Sequence, residues 1–377
     1  MRIIILQGAF FPVPPLLGGA VEKMWFRLAQ EFASAGHEVI QISRRYPKLR
    51  NEEIICGVKH IRIAGYTASN SLLWLKFLDL CYTLRATSHI RQANILITNT
   101  FWAPMVLPFF TKSSLYVDVA RMPKGQMRLY ARASRLRANS RAVADAILRE
   151  CPAAAAKIRV IPNPLPFIPP SHSLSMATKS PTVLYAGRIH QEKGLVLLLK
   201  AWSRLPLALI KEWNLQIAGP WEVAMGGSGE AFFSQLRSLA AATDHVEFTG
   251  FLRDSSTLNR LYKKASIFVY PSVAEKGETF GLAPLEAMAW GCVPIVSALR
   301  CFEDFIHDNI NGLVFDHRES NAIDLLNTKL LFLMNHAEER ERLAQKALEV
   351  RSSHSPFTIA KEFLEDFQRL RTQSTSC

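Results

Sequence analysis

The stretch Pro271-Ser-Val-Ala-Glu-Lys-Gly-Glu278-Thr-Phe-Gly281-Leu-Ala-Pro284-Leu-Glu286-Ala-Met-Ala-Trp-Gly291-Cys-Val-Pro-Ile-Val-Ser297 decides the fold. Ahead of it, Ile267–Tyr270 is apolar and β-branched or aromatic, the composition of a buried strand that stops at Pro271. A polar loop with Glu275, Glu278 and two glycines follows. Pro284 suits a first helical turn, where its missing N–H costs nothing, and Gly291 suits a helix end. The spacing therefore predicts a helix from Pro284 to Trp290 and then a strand, Val293–Ser297. The N–H groups of Phe280, Gly281 and Leu282 would point outward at the positive end of that helix dipole, which favours a phosphate. Glu278 in the loop and Glu286 in the helix can both reach a ligand held there.

Upstream, Thr182–Ala186 reads as a strand followed by Gly187-Arg188 and Lys193-Gly194, then an apolar helix. Arginine as a fork and lysine as a point charge, five positions apart at a strand-to-helix turn, can both grip a diphosphate. The chain opens with a strand at Arg2–Gln7, a Pro/Gly-rich loop from Gly8 to Gly19, a helix at Glu22–Ser34 and a strand at Glu38–Ser43. That is the start of a parallel, doubly wound sheet. Gly18 and Gly19 would let backbone approach a phosphate, but the loop is not the Gly-x-Gly-x-x-Gly fingerprint of a nicotinamide enzyme. Further strands are expected at His60–Ile63, Ile95–Thr98, Leu115–Val119, Leu136–Asn139 and Ile158–Ile161.

The two glutamates in their setting of glycines, Pro284 and flanking strands, the Arg188/Lys193 turn and the segment Val160-Ile-Pro-Asn163 together resemble the retaining glycosyltransferases of family 4. The resemblance is strong from Val183 to Phe315 and weak before Arg159. It implies an α/β fold of the GT-B type: two doubly wound Rossmann-like domains facing a central cleft, with a C-terminal helix returning to the first domain. Residues 1–165 would form the acceptor-side domain, 166–181 a Pro/Ser-rich linker, 182–355 the nucleotide-sugar domain, and 356–377 the returning helix. The implied reaction moves a sugar, with retention, from a nucleotide-diphosphate sugar to a glycan or lipid-linked acceptor in surface polysaccharide, exopolysaccharide or lipopolysaccharide assembly. Arg188, Lys193 and Glu278 would be the catalytic set. Gly18, Gly19, Phe280, Gly281, Leu282 and Glu286 would complete the donor site, with Glu286 on the ribose hydroxyls and Glu278 near the donor sugar.

Many relatives carry a histidine after the strand that matches Leu115–Val119. Here the row reads Tyr116-Val-Asp118-Val-Ala-Arg121, which leaves Asp118 and Arg121 as acceptor-side candidates. There is no Asp-x-Asp for a metal–diphosphate bridge, so neither a metal nor a cofactor beyond the donor is expected. Two other readings stay open. One is a different nucleotide-sugar enzyme of the same fold, such as an epimerase; a phosphorylase would need a pyridoxal lysine motif that is not found. The other is a nucleic-acid-binding protein using a basic surface, although no helix-turn-helix or RNA-stacking motif accompanies it.

The 377 residues, 49% hydrophobic, suffice for two domains. Six scattered cysteines without Cys-x-x-Cys spacing fit a reducing cytosol, and neither a signal peptide nor a membrane span is expected. The net charge of +13 is uneven: residues 1–160 hold 23 Lys/Arg against 9 Asp/Glu, and the remainder holds 22 against 23. A basic first half points to an anionic partner, such as an inner-membrane surface, or to a soluble domain that is simply basic. Its densest cluster runs from Arg121 to Arg141, with Arg128, Arg132 and Arg135 expected on one helical face. The apolar run Ser71–Arg85 reads as a buried helix in preference to one dipping into lipid headgroups.

Overall fold

The computed structural model describes residues 1–69, 71–90, 92–170, 179–252 and 254–375, so residues 171–178 of the expected linker and Cys377 lie outside the described residues. The chain forms two compact units, Met1–Ile168 with His354–Cys377, and Pro169–Ser353.

In the first unit, eight strands make one sheet: β1 (Arg2–Leu6), β2 (Glu38–Arg44), β3 (Glu52–Ile55), β4 (Val58–Ile63), β5 (Ile95–Thr98), β6 (Ser114–Val119), β7 (Arg135–Ala138) and β8 (Ile158–Val160). Their order is β3-β4-β2-β1-β5-β6-β7-β8, parallel except for the antiparallel edge pair β3/β4. The two central strands, β1 and β5, are almost continuous apolar runs, as a parallel sheet covered on both faces requires. The strand order reverses direction between β1 and β5, and ligands of such sheets bind beyond the carboxyl ends at that reversal.

Helix α1 (Ala20–Ser34) starts two residues before the expected Glu22, because Gly19, at φ 94°, already caps it. It buries Trp25, Leu28 and Phe32 against the C-terminal helix Pro356–Thr375. The ring of Phe363 lies 5.2 Å from Trp25, and that of Phe367 lies 5.0 Å from Tyr116. Asp366 of the same helix accepts the Tyr116 hydroxyl at 3.0 Å and pairs with Arg135 at 3.0 Å.

Two sequence expectations fail in this unit. Arg128, Arg132 and Arg135 share no helical face. Arg128 lies in the short 3-10 turn Met127–Tyr130, whereas Arg135 opens β7, drawn into the sheet by its register with Tyr116 and by Asp366. The run Ser71–Arg85 is not a buried helix. In helix α2 (Leu72–Ala86) only the stripe Leu78, Asp79, Tyr82, Thr83 and Ala86 is buried, and the apolar residues of the first turns face outward. The stripe is fixed by Asp79, which accepts the N–H groups of Phe101 and Trp102 at 3.2 and 3.1 Å. Burial pushes that carboxyl up to about 6.

His60, in β4, is fully buried, and neither ring nitrogen has a hydrogen-bond partner. Burial, helped by the charge of Arg62, lowers its pKa from 6.5 to about 4. The native state therefore keeps it neutral while the unfolded chain protonates, so its contribution is intact above pH 6.5 and lost as pH falls towards 4. Urea melts of wild type and His60→Leu across that window should show the wild type losing stability more steeply, by up to about 1.4 kcal/mol per pH unit. Parallel curves would mean that His60 titrates alike in both states.

In the second unit, six parallel strands, β9 (Ser180–Ala186), β10 (Asn214–Ala218), β11 (Val246–Gly250), β12 (Ala265–Tyr270), β13 (Val293–Ser297) and β14 (Leu313–Phe315), run in the order β11-β10-β9-β12-β13-β14. The reversal falls between β9 and β12.

Candidate active site

The carboxyl ends of β9 and β12 carry the two segments that the sequence singles out. The turn after β9 is held by Gly187 N–H to Ala218 C=O at 2.9 Å and Ile189 N–H to Pro220 C=O at 2.8 Å. It ends in Gly194, at φ 68°, which caps the helix Leu195–Trp202. A Cβ on Gly194 would sit 2.0 Å from the Pro271 carbonyl oxygen, so only glycine lets this turn lie against the one after β12. Val273 N–H to Glu192 C=O at 2.9 Å ties the two together.

That contact brings Lys193 to Glu278 across 85 positions of sequence, with Lys193 Nζ 2.7 Å from Glu278 Oε2. The Tyr270 hydroxyl donates to the same oxygen at 3.1 Å, and Lys193 Nζ lies 5.3 Å from the Tyr270 ring centroid. Tyr185 stacks on Tyr270 with centroids 5.8 Å apart. Burial, reinforced by the Glu278 charge, holds both phenols well above their ordinary pKa, so they remain neutral donors. Arg188 is half exposed; it donates to Gly226 C=O at 2.8 Å and to Glu192 Oε1 at 3.2 Å. Two cations and two carboxylates thus balance, and an arriving diphosphate would compete with Glu192 and Glu278 for Arg188 and Lys193.

The helix after β12 spans Leu282–Ala289, two residues earlier at its start and one earlier at its end than Pro284–Trp290. Gly281, at φ 92°, is its cap, and Pro284 occupies the third helical position, still among the N–H groups without an intrahelical acceptor. A Cβ on Gly281 would meet the Phe302 ring at 2.4 Å, which leaves glycine as the residue that fits. Phe280 and Gly281 are buried and Leu282 is half-buried at this helix N-terminus. Glu286, half-buried one turn on, is hydrogen-bonded by the hydroxyl of the buried Tyr262.

The remaining candidates lie in the first unit. Gly18 and Gly19 have φ of 80° and 94° at the start of α1, after β1. Glu22 folds back over Gly19, its Oε2 2.1 Å from where a Cβ would stand. Burial raises the Glu22 pKa, opposed by a backbone hydrogen bond and by the charge of Arg121, which is exposed. Asp118 is not an acceptor-side surface group. Its carboxylate is fully buried, accepting Arg137 Nη1 at 2.7 Å and Trp25 Nε1 at 2.8 Å. The alternation of β6 turns it inward, and Arg137 on the neighbouring β7 supplies the counter-charge.

Sequence reading missed Tyr270, Glu192 and Glu22. Glu192 was visible inside the Arg188–Lys193 turn, and Glu22 by its three-residue spacing from Gly19. Tyr270 carried no signal beyond being the last strand residue. Among the described residues no group of three or more His, Cys, Asp or Glu could hold a metal ion.

Two family models match the chain: glycosyltransferase family 4 over residues 18–166 and glycosyl transferases group 1 over residues 171–350. The chain belongs to this glycosyltransferase family, and its two parallel-sheet units are those of the GT-B fold. It is 23% identical to a lipopolysaccharide 1,2-N-acetylglucosaminetransferase of Salmonella typhimurium over 97% of its own length and 98% of the relative's. Other relatives match in part: the chain spans 33% of an uncharacterised glycosyltransferase of Methanocaldococcus jannaschii at 28% identity over 37% of its own residues. Among solved structures, a sucrose-phosphate synthase from Thermosynechococcus elongatus superposes with a TM-score of 0.78 at 19% identity, covering 99% of this chain and 100% of that one. An Anabaena protein in complex with UDP and glucose superposes with a TM-score of 0.72 at 17% identity, covering 98% and 100%.

Proposed function

We propose that the chain transfers a sugar, with retention, from a nucleotide-diphosphate sugar to a glycan or lipid-linked acceptor during surface-polysaccharide or lipopolysaccharide assembly. The enzyme would work in the cytoplasm, peripheral to the inner face of a membrane. The observation that carries the reading is the Lys193–Glu278 pair at the β9/β12 reversal, which joins the turn holding Arg188 and Lys193 to the loop that runs into the helix capped by Gly281. As the anomeric C–O bond to the diphosphate breaks, these groups stabilise the developing charge on the leaving phosphate. The acceptor oxygen bonds to the anomeric carbon on the same face, and its proton passes to a leaving phosphate oxygen. Two fixed side-chain cations and the helix dipole supply the positive charge, so we propose that turnover needs no metal. The full-length likeness to a lipopolysaccharide transferase and the UDP bound by the Anabaena protein support the donor and acceptor classes.

A panel of UDP-, GDP- and ADP-sugars, with nucleoside diphosphate release measured with and without EDTA, tests the reading. Release from at least one donor in both conditions is expected. No binding or release with any donor overturns the function, and loss with EDTA overturns the metal-free mechanism. For the ribose role of Glu286, calorimetry on Glu286→Gln should show nucleoside diphosphate affinity falling about tenfold, as for loss of one charge-assisted hydrogen bond. Unchanged affinity would assign Glu286 to holding Tyr262 instead.

A further inference from the structure

We infer that the first unit docks on an anionic bilayer through the start of α2 and the turns packed beside it, an inference that rests on the reading of a lipid-linked acceptor above. Ser71 caps α2, and Leu72, Leu73, Trp74 and Phe77 follow with no cover, Leu73 being 82% exposed and Trp74 51%. The helix buries side chains only from Leu78 onward, so the apolar side chains of Leu72, Leu73, Trp74 and Phe77 face solvent on several sides. An isolated helix start gains nothing from such residues in water; at a bilayer interface they insert between acyl chains.

The neighbouring turns extend the same surface. Trp102 Nε1 donates to Lys76 C=O at 2.8 Å, and Lys76 Nζ lies 4.4 Å from the Phe101 ring centroid. That segment leads to Phe109 and Phe110, exposed by 70% and 57%. The Arg132 guanidinium stands 4.2 Å over Phe109. The Tyr130 hydroxyl donates to Phe101 C=O at 3.1 Å and so ties in the turn that exposes Leu129. Aromatic rings interleaved with long cationic side chains suit a headgroup region, where rings enter the interface and Lys or Arg reach back to phosphate.

Charge selects the occupant. Residues 54–144 contain thirteen Lys/Arg and two acidic residues, Asp79 and Asp118, and both acids are buried. Arg62 and Arg137 are buried, and Lys59 and Arg135 pair with Glu52 and Asp366, but Lys76, Lys112 and Arg132 stand exposed beside the uncovered rings. A second copy would set two such surfaces against each other, whereas an anionic bilayer neutralises one. Among the described residues no helix is long and apolar enough to cross a membrane, so the contact would be interfacial.

The test is co-sedimentation of the full chain with vesicles of phosphatidylcholine alone or mixed with phosphatidylglycerol, at about 50 and about 500 mM salt. Wild type should bind the mixed vesicles at low salt, and weakly in the other conditions. Leu73→Ser/Phe77→Ser/Phe109→Ser and Lys112→Glu/Arg132→Glu should each lower that binding about tenfold or more, with unchanged melting and unchanged nucleotide-sugar hydrolysis. Equal binding to both vesicle types, no binding at either salt, or wild-type binding by the apolar variant overturns the proposal. So does a dimer that the apolar variant abolishes while lipid binding is absent. If instead no nucleotide sugar is turned over while vesicle binding behaves as stated, the enzymatic reading fails and the docking surface stands.

Discussion

Lys193→Ala should lower kcat by about 10²–10³-fold with little change in melting temperature, the effect of removing one preorganised group from a developing oxyanion. The structural reason is the position of Nζ, 2.7 Å from Glu278 at the mouth of the β9/β12 reversal, with Gly194 and Pro271 locking the two turns together. Glu278 keeps the Tyr270 hydroxyl after the substitution and is partly solvated, so the fold should tolerate the loss. Arg188, half exposed and leaning on Glu192, should behave as a weaker version of the same group, its alanine variant losing less turnover than Lys193→Ala. Steady-state donor turnover beside thermal melting decides the matter. If Lys193→Ala keeps full turnover, the lysine is there to hold Glu278; if it unfolds, the pair is structural.

Asp118→Ala should destabilise the first unit by about 3–5 kcal/mol, the loss seen when one partner of a buried ion pair is removed. Arg137, fully buried beside it, also donates to Ile161 C=O at 2.7 Å and Asn163 Oδ1 at 2.8 Å, and would be left charged without its carboxylate. Trp25 Nε1 would lose its acceptor as well. Asp118→Asn, which keeps an acceptor for Trp25 but removes the charge, should cost less. Denaturant melts of both variants measure this. A fully stable but inactive Asp118→Asn protein would return the residue to the chemistry, where its place near the carboxyl end of β6 had suggested it.

What the sequence determined by itself is what short-range stereochemistry dictates. Pro284 and Gly291 mark the helix of the deciding stretch, and Pro271 and the β-branched runs mark the strand ends on either side of it. The Arg188/Lys193 turn and the Glu278/Glu286 spacing are likewise local, so the segments that meet at the β9/β12 reversal and the parallel α/β architecture were legible in the sequence. Helix starts at Ala20 and Leu282 were missed by two residues because a left-handed glycine serves as a cap in each case. Only tertiary structure decided which charges meet and which apolar residues stay uncovered. Asp118 finds Arg137 because β6 and β7 pair, and Arg135 is taken from the basic surface by Asp366, 231 positions away. The first turns of α2 look like core in composition, yet the burial of a helix depends on what the rest of the chain places beneath it, and here side-chain burial begins only at Leu78.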